Sequence, residues 1–202
     1  MRKWSWQLQN KDKIRVMLNA KRAAVTSDYR DQAARQAAHI LLKNSLFENS
    51  DNIACYFARH HEFDCTPIIN AVWETHKKCY LPVVSDLSLG QGEFLNFVAY
   101  KPEDKLQQNR YRILEPEHAE IFPAEQLDVV LLPLVAFDLQ GNRLGMGKGY
   151  YDRTFAFMRN TTGKKPCLIG LAYELQQVDN LPHDVWDIPL SGVLTEKRFI
   201  QF

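Results

Sequence analysis

The sequence predicts an α/β fold: a single three-layer, Rossmann-like domain over residues 1–202, with a mainly parallel central sheet and helices at its amino terminus. Strand-like and helix-like segments alternate along the chain, which is the order of βαβ units. The segment LDVVLLPLVAF, residues 127–137, is apolar almost throughout, as is typical of a parallel strand buried on both faces. No repeat or long linker divides the 202 residues, a length that suits one compact domain.

The first two elements are predicted to be helices. Residues 8–24 carry apolar side chains at helical spacing among lysines and arginines. Ser27 is then placed to cap a second helix, in which alanines, Ile40 and Leu41 recur at the same spacing. Both helices therefore precede the first strand.

The next segments alternate between strand and helix. Residues 52–58 (NIACYFA) and 78–84 (KCYLPVV) are rich in strand-forming residues, and a further strand is expected within residues 94–100. Between the first two strands, Thr66 and Pro67 favour a helix start, with a capping residue followed by a first-turn proline. This order is the beginning of a βαβ arrangement.

The second half of the chain begins less regularly. Residues 110–118 (RYRILEPEH) are expected to form a loop. The buried strand of residues 127–137 follows, then a glycine-rich loop and a helix at residues 150–159 (YYDRTFAFMR). Later strands are predicted at residues 167–173 (CLIGLAY) and 191–196 (SGVLTE). The glycine-rich loop thus follows the most buried strand, and ligands gather at the carboxyl ends of strands in open α/β sheets.

Composition argues against several classes of protein. Lysine and arginine number 25 against 24 aspartates and glutamates, so the formal net charge of +1 provides no general attraction for nucleic acid or an anionic membrane. No apolar run approaches the roughly 20 residues of a membrane-spanning helix, and the charged amino terminus does not resemble a signal peptide. The four cysteines show no CxxC spacing and are expected to be buried, reduced thiols. We therefore expect a cytoplasmic protein, and the lack of a heptad seam favours a monomer.

The segment GNRLGMGKGYYDRTF, residues 141–155, is the strongest candidate for a binding site. Residues without a Cβ let the backbone approach a ligand, so that successive N–H groups can converge on phosphate oxygens. The alternating glycines are Gly145, Gly147 and Gly149. Lys148 and Arg143 would add charge, and the following helix would add its positive end. The segment matches neither the GxxxxGK[ST] phosphate loop nor the GxGxxG dinucleotide motif, so a plain glycine turn is the alternative.

Asp152 adds a possible chemical role to this loop. A carboxylate beside a lysine-bearing glycine loop can hold Mg²⁺ against phosphate groups. Alternatively, the aspartate lies in the first helical turn only because its negative charge complements the helix dipole. The residues alone leave both interpretations open.

The residues LPLVAFDLQGNRLGMGKGYYDR closely resemble the signature of the 5-formyltetrahydrofolate cyclo-ligase family, also called methenyltetrahydrofolate synthetases. The resemblance extends to the basic amino-terminal helix, to HEFDCTPII and ILEP, and to the closing LPHDVWDIPLSGVLTEKRF, so it covers almost the whole chain. It implies an enzyme that uses ATP and Mg²⁺ to close 5-formyltetrahydrofolate, a reduced folate, to 5,10-methenyltetrahydrofolate with release of ADP and phosphate. A non-catalytic folate- or nucleotide-binding regulator on the same scaffold is the alternative.

The resemblance also implies an ATP site built from two parts of the sequence. Lys11 and Arg15, four residues apart and hence on one helix face, match the family's contacts to the ATP phosphates. From the residues alone, a solvated basic face explains this pair. The remaining implied ATP-binding residues are Arg143, Gly145, Gly147, Lys148 and Gly149. Lys148 and Arg143 are implied to be catalytic, through the charge they place near the transferred phosphoryl group.

The implied folate site uses one carboxylate and two aromatic residues. Glu62 matches a family glutamate that contacts the folate, and a carboxylate can accept hydrogen bonds from folate N–H groups. Tyr150 and Tyr151 match a tyrosine pair that lines the shared site, with helix-to-sheet packing as the alternative for either ring. Tyr111 lies where some relatives carry an aromatic residue near the nucleotide, but packing is the preferred interpretation for it.

Asp152 and Asp184 are the implied magnesium ligands, and Asp187 is close enough in sequence to take the place of Asp184. Mg²⁺ normally takes one or two carboxylates and completes its shell with phosphates and water. Surface solvation is the alternative for Asp184 or Asp187 taken singly. Met146 is a departure, since some relatives carry arginine within the glycine loop at this position.

Overall fold

The computed structural model describes nearly all of the chain, in residues 2–85, 94–109, 113–117, 120–163 and 165–202. Helices come first, and strands and helices alternate after them. The helices are α1 Arg2–Ala23, α2 Ser27–Leu42, α3 Ser45–Glu48, α4 Thr66–Glu74 and α5 Tyr150–Thr154. None of the helices in these described ranges is long and apolar enough to cross a lipid bilayer.

Within the described residues, the strands form one large sheet and two small two-stranded sheets. In chain order they are β1 Asn52–Ala54, β2 Lys78–Val84, β3 Leu95–Ala99, β4 Leu106–Gln108, β5 Leu114–Pro116, β6 Ile121–Phe122, β7 Val129–Pro133, β8 Ala136–Phe137, β9 Arg143–Leu144, β10 Cys167–Leu171, β11 Gly192–Leu194 and β12 Phe199–Gln201. The large sheet has eight strands in the order β12-β11-β10-β7-β1-β2-β3-β6. Its middle strands, from β11 to β2, are parallel, and antiparallel pairings add β12 at one edge and β3 and β6 at the other.

The central strand β7 confirms the buried parallel strand predicted within residues 127–137. It pairs in parallel with β1 on one side and β10 on the other, and Val130, Leu131 and Leu132 are fully buried. The apolar run is longer than the strand, because after Pro133 the chain leaves the sheet and forms β8, which pairs antiparallel with β9. The glycine loop begins directly after this hairpin.

Asp138 fixes the hairpin between β8 and β9. The backbone N–H groups of Gln140 and Asn142 each donate to its buried carboxylate at 3.0 Å, and the Asn142 amide donates at 2.9 Å. The Leu181 N–H donates to it as well, also at 2.9 Å. A buried carboxylate is costly unless it is hydrogen-bonded, and these donors satisfy it. The position of the glycine loop is therefore set by a rigid turn.

Helices cover both faces of the sheet and produce three layers. On one face, α2 and α4 pack on the strands, with Ile68 and Val72 of α4 in the core. On the other face, Phe155 at the end of α5 lies in a second core, 5.9 Å from the ring of Phe97 on β3. Helix α1 packs against β8 through Leu18. The predicted α/β class, with a mainly parallel sheet and amino-terminal helices, is confirmed.

Two predicted helix caps are each wrong by one residue. Helix α2 is capped by Thr26, whose Oγ1 accepts a backbone hydrogen bond from the first turn at 3.3 Å, and Ser27 is already helical. Helix α4 is preceded by Cys65, and Thr66 is its first residue, so Pro67 still lies in the first turn. At α2 the adjacent Thr26 and Ser27 are both residue types that can cap a helix, whereas at α4 Cys65 makes no side-chain capping hydrogen bond.

Strand predictions also need correction. The strand predicted at residues 52–58 ends at Ala54, because the chain beyond it forms the loop that carries Glu62. The loop predicted at residues 110–118 contains β5, which pairs antiparallel with β4. Tyr111 lies outside the described residues. The edge strand β12 was not predicted, since three residues are too few to show an alternating pattern.

The helix predicted at residues 150–159 is α-helical only in α5 and continues as a 3₁₀ turn at Ala156–Arg159. Phe155 separates the two parts, because its fully buried ring packs into the core. Gly149 precedes the helix in a left-handed conformation and provides no side-chain cap. A five-residue helix aligns few peptide dipoles, so the predicted contribution of its positive end is small.

The cysteines are free thiols, as predicted, but one is less buried than expected. Cys55, Cys65 and Cys79 are buried, whereas Cys167 is partly exposed at the start of β10. Hydrogen bonding with Cys65 and Cys79, together with burial, raises the pKa of the Cys55 thiol well above its ordinary value. A thiol held in its protonated form is a poor nucleophile, so Cys55 has a packing role.

Candidate active site

A cavity of about 730 Å³ lies at the carboxyl ends of β1, β2 and β7. Every site residue predicted from the sequence lines it: Lys11, Arg15, Glu62, Arg143, Gly145, Gly147, Lys148, Gly149, Tyr150, Tyr151, Asp152 and Asp184. Asp187, the alternative to Asp184, lines it too. Lys11 and Asp184 are 173 positions apart in the sequence, so it is the fold that brings these residues together.

The glycine loop forms one wall of the cavity. Gly147 has a φ of 96°, in the left-handed region that residues with a Cβ rarely adopt. A Cβ built on Gly147 would lie 3.6 Å from the Arg15 guanidinium, whereas one on Gly145 would have no atom within 4 Å. The loop therefore needs glycine at Gly147 for its backbone conformation, and Gly145 leaves open space toward the cavity.

Helix α1 is attached to this loop by two arginines. The Arg15 Nε donates to the Gly145 carbonyl at 3.0 Å. Two turns farther along α1, the buried Arg22 donates through Nη1 to the Leu134 carbonyl at 3.1 Å and through Nη2 to Asn19 Oδ1 at 2.7 Å. These bonds join α1 to both sides of the β8–β9 hairpin and hold its basic face against the loop.

Lys11 contacts the two aspartates near the carboxyl terminus. Its Nζ lies 2.7 Å from Asp184 Oδ2 and 3.4 Å from Asp187 Oδ2. The two aspartates belong to one turn, in which the Asp184 N–H donates to Asp187 Oδ2 at 2.9 Å and the Asp187 N–H donates to the Asp184 carbonyl at 3.0 Å. Helix α1 is thereby tied to a second wall of the cavity, and both aspartates remain candidates for a metal-associated carboxylate.

Arg143 and Lys148 differ in their surroundings. Arg143 Nη2 lies 2.5 Å from Asp152 Oδ1, and its Nη1 donates to the Ile188 carbonyl. The Ile188 N–H also donates to Asp152 Oδ1, at 3.1 Å. Lys148 is exposed, with no hydrogen bond or ion pair from its ammonium group to a described residue. Arg143 therefore orients Asp152, while Lys148 is free to meet an anion.

The carboxylates of the cavity fit a magnesium ion only in company with phosphate oxygens. The described part of the chain contains no group of three or more His, Cys, Asp or Glu side chains placed around one ion. Asp152 uses Oδ1 for both of its hydrogen bonds to the protein, so its Oδ2 is the oxygen that could meet a cation. Mg²⁺ commonly combines one or two carboxylates with substrate phosphates, which agrees with this donor set.

Glu62 lies in the loop between β1 and α4. Burial raises the pKa of its carboxyl group, and the hydrogen bond that Glu62 Oε2 accepts from the Arg59 N–H at 2.9 Å opposes this effect. The nearby positive charge of Arg22 also lowers the pKa. A partly buried carboxylate with one protein donor retains capacity to accept hydrogen bonds from a ligand.

The tyrosine pair both lines the cavity and packs on the core. The Tyr151 ring stacks on Phe155 with centroids 6.4 Å apart, and the Tyr150 ring lies 5.4 Å from the Arg153 guanidinium. Both rings pack against the core beneath α5. Burial raises the pKa of the Tyr151 hydroxyl far above its ordinary value, so this group can donate a hydrogen bond at neutral pH.

The model of the 5-formyltetrahydrofolate cyclo-ligase family matches residues 7–196, nearly the whole chain. The chain belongs to this family. A cyclo-ligase from Haemophilus influenzae is 37% identical over 188 residues, which cover 92% of this chain and 97% of that protein. The 5-formyltetrahydrofolate cyclo-ligase of Escherichia coli K12 is 36% identical over 184 residues, covering 90% of this chain and 98% of the relative.

Solved structures of family members have the same fold. The 5,10-methenyltetrahydrofolate synthetase of Aquifex aeolicus superposes with a TM-score of 0.79 at 30% identity, covering 95% of this chain and 92% of that one. A 5,10-methenyltetrahydrofolate synthetase from Mycoplasma pneumoniae superposes with a TM-score of 0.69 at 23% identity, over 92% of this chain and 98% of that one. The second likeness concerns the fold alone.

Sequence reasoning missed several cavity residues of this cyclo-ligase family member. Among the described lining residues, the basic side chains outnumber the acidic ones by seven to four, so the site favours a polyanion. The missed charged residues are Arg59, Arg153 and Arg159. The missed apolar lining includes Phe57, Leu81, Pro82, Val84, Leu95 and Trp186. Arg153 and Trp186 lie within the segments that resemble the family, but their residue types and spacing did not distinguish them as lining residues.

Alanine substitutions of Gly147 and Gly145 distinguish a glycine that is needed for its backbone conformation from one that leaves space for a ligand. Gly147→Ala is expected to lower stability by about 1–2 kcal/mol, because a Cβ is disfavoured at its φ, and to weaken ATP binding. Gly145→Ala should leave stability unchanged, because no atom lies within 4 Å of the added methyl group. Thermal unfolding and calorimetric ATP titration provide the two measurements. Wild-type stability and ATP affinity in Gly147→Ala would contradict the assigned conformational role.

Proposed function

We propose that this chain is a 5-formyltetrahydrofolate cyclo-ligase that uses ATP and Mg²⁺ to form 5,10-methenyltetrahydrofolate, ADP and phosphate. The observation that carries the proposal is the convergence of all the predicted site residues on one cavity. These residues come from the first helix, the loop after β1, the glycine loop and the turn near the carboxyl terminus. The family membership of the chain supports the same reaction.

The proposed reaction moves the formyl oxygen from carbon to phosphorus. That oxygen bonds to the γ-phosphorus as the bond from phosphorus to the ADP oxygen breaks. N10 of the folate then bonds to the formyl carbon and loses its proton, while phosphate leaves with the former formyl oxygen. Both nucleophiles belong to the substrates, so the protein has to position them and offset phosphate charge.

The basic residues of the cavity provide that charge compensation. Lys148 is exposed on the glycine loop, where its ammonium group would stabilise charge on the transferred phosphoryl group. Arg15 lies against the same loop through Gly145 and would contact the nucleotide phosphates beside it. Asp152, oriented by Arg143, would hold Mg²⁺ against the phosphates. The metal, when bound, neutralises phosphate charge and polarises the group being transferred.

The apolar part of the cavity suits the folate. Leu81, Pro82 and Val84 of β2 line the cavity, as does Glu62. Glu62 would accept hydrogen bonds from N–H groups of the reduced folate and orient its reacting nitrogens. A largely apolar wall excludes water, which strengthens the electrostatic contacts inside.

The activity is tested with purified protein, 5-formyltetrahydrofolate, ATP and Mg²⁺. We expect the absorbance of the methenyl product to increase only when all three are present, because the formyl oxygen must be phosphorylated before N10 can displace it. Omission of each component is the internal control. A folded protein that binds the folate without any absorbance change would refute the cyclo-ligase proposal and favour a non-catalytic regulator.

We also propose that the protein acts as a monomer in the cytoplasm. The lack of a heptad seam supports the monomer, and the four cysteines without CxxC spacing support a reducing compartment. The single domain over residues 1–202 stays a prediction of the sequence.

A further inference from the structure

The Arg22 guanidinium is a buried positive charge that lies outside the cavity lining. Arg22 is 4% exposed and does not line the cavity. Besides its bonds to Leu134 and Asn19, its Nη2 contacts Met146 Sδ in the glycine loop at 4.0 Å, and within the described part of the chain its buried Nε meets no hydrogen-bond acceptor. None of these partners is charged. A buried charge is costly without an opposite charge, and the Glu62 carboxylate supplies the opposite charge.

Arg30 of α2 joins the end of α1 to the loop that carries Glu62. Its Nη2 lies 2.8 Å from His61 Nδ1 and donates to the Arg22 carbonyl at 3.4 Å. Since an arginine has only donors, His61 Nδ1 accepts this bond. Within the loop, the Glu62 N–H donates to the Arg59 carbonyl at 2.8 Å, and the Glu62 side chain accepts from the Arg59 N–H. Hydrogen bonds therefore fix where the Glu62 loop lies relative to the helix that carries Arg22.

The charges of Arg22 and Glu62 act on each other, although the hydrogen bonds of these two side chains go to other groups. Burial raises the pKa of the Glu62 carboxyl group, and the hydrogen bond from the Arg59 backbone lowers it. Among charged side chains, Arg22 lowers this pKa most, ahead of Arg59 and His60. Burial lowers the pKa of Arg22, and Glu62 is the charge that opposes this effect most. Two hydroxyl groups also face Glu62 and stay neutral, because burial raises the pKa of each; they belong to Tyr56 and Tyr151.

We propose that Arg22 is a positioning residue for the folate: its buried positive charge holds Glu62 as a carboxylate that accepts hydrogen bonds from the folate N–H groups. The inference deepens the proposed function, because it rests on Glu62 as the folate contact. A protonated Glu62 would carry an O–H donor on one oxygen and would be a weaker acceptor. A neutral amide could also donate to the Leu134 carbonyl, so the role requires the charge of Arg22 and not this bond.

The pH dependence of folate binding to the full-length protein tests this role without turnover. Calorimetry with 5-formyltetrahydrofolate between about pH 5 and pH 8, without ATP, gives the midpoint at which affinity is lost as Glu62 takes up a proton. Arg22→Gln removes the charge and raises the pKa of Glu62, so affinity should be lost at a higher pH. We expect the midpoint to rise by about one pH unit, which makes binding roughly tenfold weaker at the acidic end. The same ligand is used throughout, so its own titration affects every variant equally.

Two further variants distinguish the charge of Arg22 from its hydrogen bonds. Arg22→Lys keeps the charge and should retain the wild-type midpoint, even where loss of the guanidinium bonds lowers thermal stability. This variant also keeps the inference testable if Arg22→Gln does not fold, because an upward shift of the midpoint in Arg22→Lys would overturn it. In a Glu62→Gln background, Arg22→Gln should change the pH profile no further, since the group through which Arg22 acts has been removed.

The matched control is Arg35→Gln, since Arg35 is an exposed arginine of α2 that does not line the cavity. It should leave the midpoint unchanged. His60→Asn removes the titratable ring beside Glu62 and should shift the midpoint less than Arg22→Gln does. Asparagine tolerates the left-handed φ of 49° at this position.

Two results would contradict the positioning role. Folate binding that Arg22→Gln weakens equally at every pH would overturn the proposal, because Arg22 would then only hold α1 against the hairpin. A midpoint shift that Arg22→Gln still causes in the Glu62→Gln background would overturn it too, since another titratable group would be responsible.

The outcomes separate this inference from the proposed function. A protein whose folate binding depends on Arg22 as expected, but which forms no methenyl product, would refute the cyclo-ligase activity alone. Normal turnover and an unshifted midpoint in Arg22→Gln would refute the positioning role alone. A wild-type protein that does not bind the folate would contradict both.

Discussion

Lys148→Ala should lower kcat by about 10²- to 10³-fold, the usual cost of removing one group that stabilises charge in the transition state. The ammonium group of Lys148 is exposed on the glycine loop and lines the cavity. Its removal should leave the fold intact, because surface substitutions usually change stability by no more than about 0.5 kcal/mol. Steady-state kinetics with ATP and 5-formyltetrahydrofolate as varied substrates measure the change.

Lys13→Ala is the matched control for Lys148→Ala. Lys13 is an exposed lysine of α1 that does not line the cavity, so its removal should leave both kcat and the KM for ATP unchanged. Lys148→Arg keeps the positive charge and should restore part of the activity. If Lys148→Ala has the kcat and KM of the wild type, Lys148 is an ordinary surface residue and its proposed role in phosphoryl transfer is wrong.

Asp152→Asn should raise the Mg²⁺ concentration needed for half-maximal ATP binding and turnover by at least about tenfold. Mutation of a residue that only hydrogen-bonds to a metal ligand already lowers metal affinity or activity by about 10- to 100-fold. Asparagine keeps an Oδ1 that can accept the hydrogen bonds from Ile188 and Arg143, but it loses the negative charge. Magnesium titrations followed by calorimetry and by the methenyl absorbance give the two midpoints.

In Asp152→Asn, the loss of a metal ligand has to be distinguished from the loss of an ion pair. The Arg143 side chain is 94% buried and would lose the negative charge that it contacts on Asp152. A broken ion pair would weaken ATP binding at every Mg²⁺ concentration, whereas a lost ligand would move the magnesium midpoint. Glu174→Gln is the control, because Glu174 also pairs with an arginine, Arg198, and neither of these two residues lines the cavity. An unaltered midpoint in Asp152→Asn would exclude a metal-ligand role.

Local patterns in the sequence were sufficient for much of the fold. The apolar run that contains β7 predicted a central parallel strand, and that strand is buried between two parallel neighbours. Its exact end was not predictable, because the run stays apolar while the chain leaves the sheet at Pro133. The buried Asp138 that fixes this departure gives no periodic signal, since its donors are backbone groups of a turn and of the distant Leu181.

The candidate site, like the fold, was predictable from the sequence only in part. The glycine loop and its resemblance to a family pointed to Lys148, Asp152, Lys11 and Glu62, and all of them line one cavity. The partners of these residues could not be read in the sequence: Lys11 with the aspartate turn, and Arg143 with Asp152. Trp186 also lines the cavity but was not predicted to do so, because the spacing of residues 184–187 does not distinguish a cavity wall from a solvated turn.

By itself, the sequence determined the α/β class, the buried strand and the loop at which a ligand would be bound, because these depend on residue type and on short, regular spacing. Only the tertiary structure decided which cation meets which carboxylate, and that Arg143 is the arginine in contact with Asp152. Those choices depend on contacts between residues as far apart as Lys11 and Asp184. Such contacts arise when α1 and the aspartate turn are packed on the same end of the sheet.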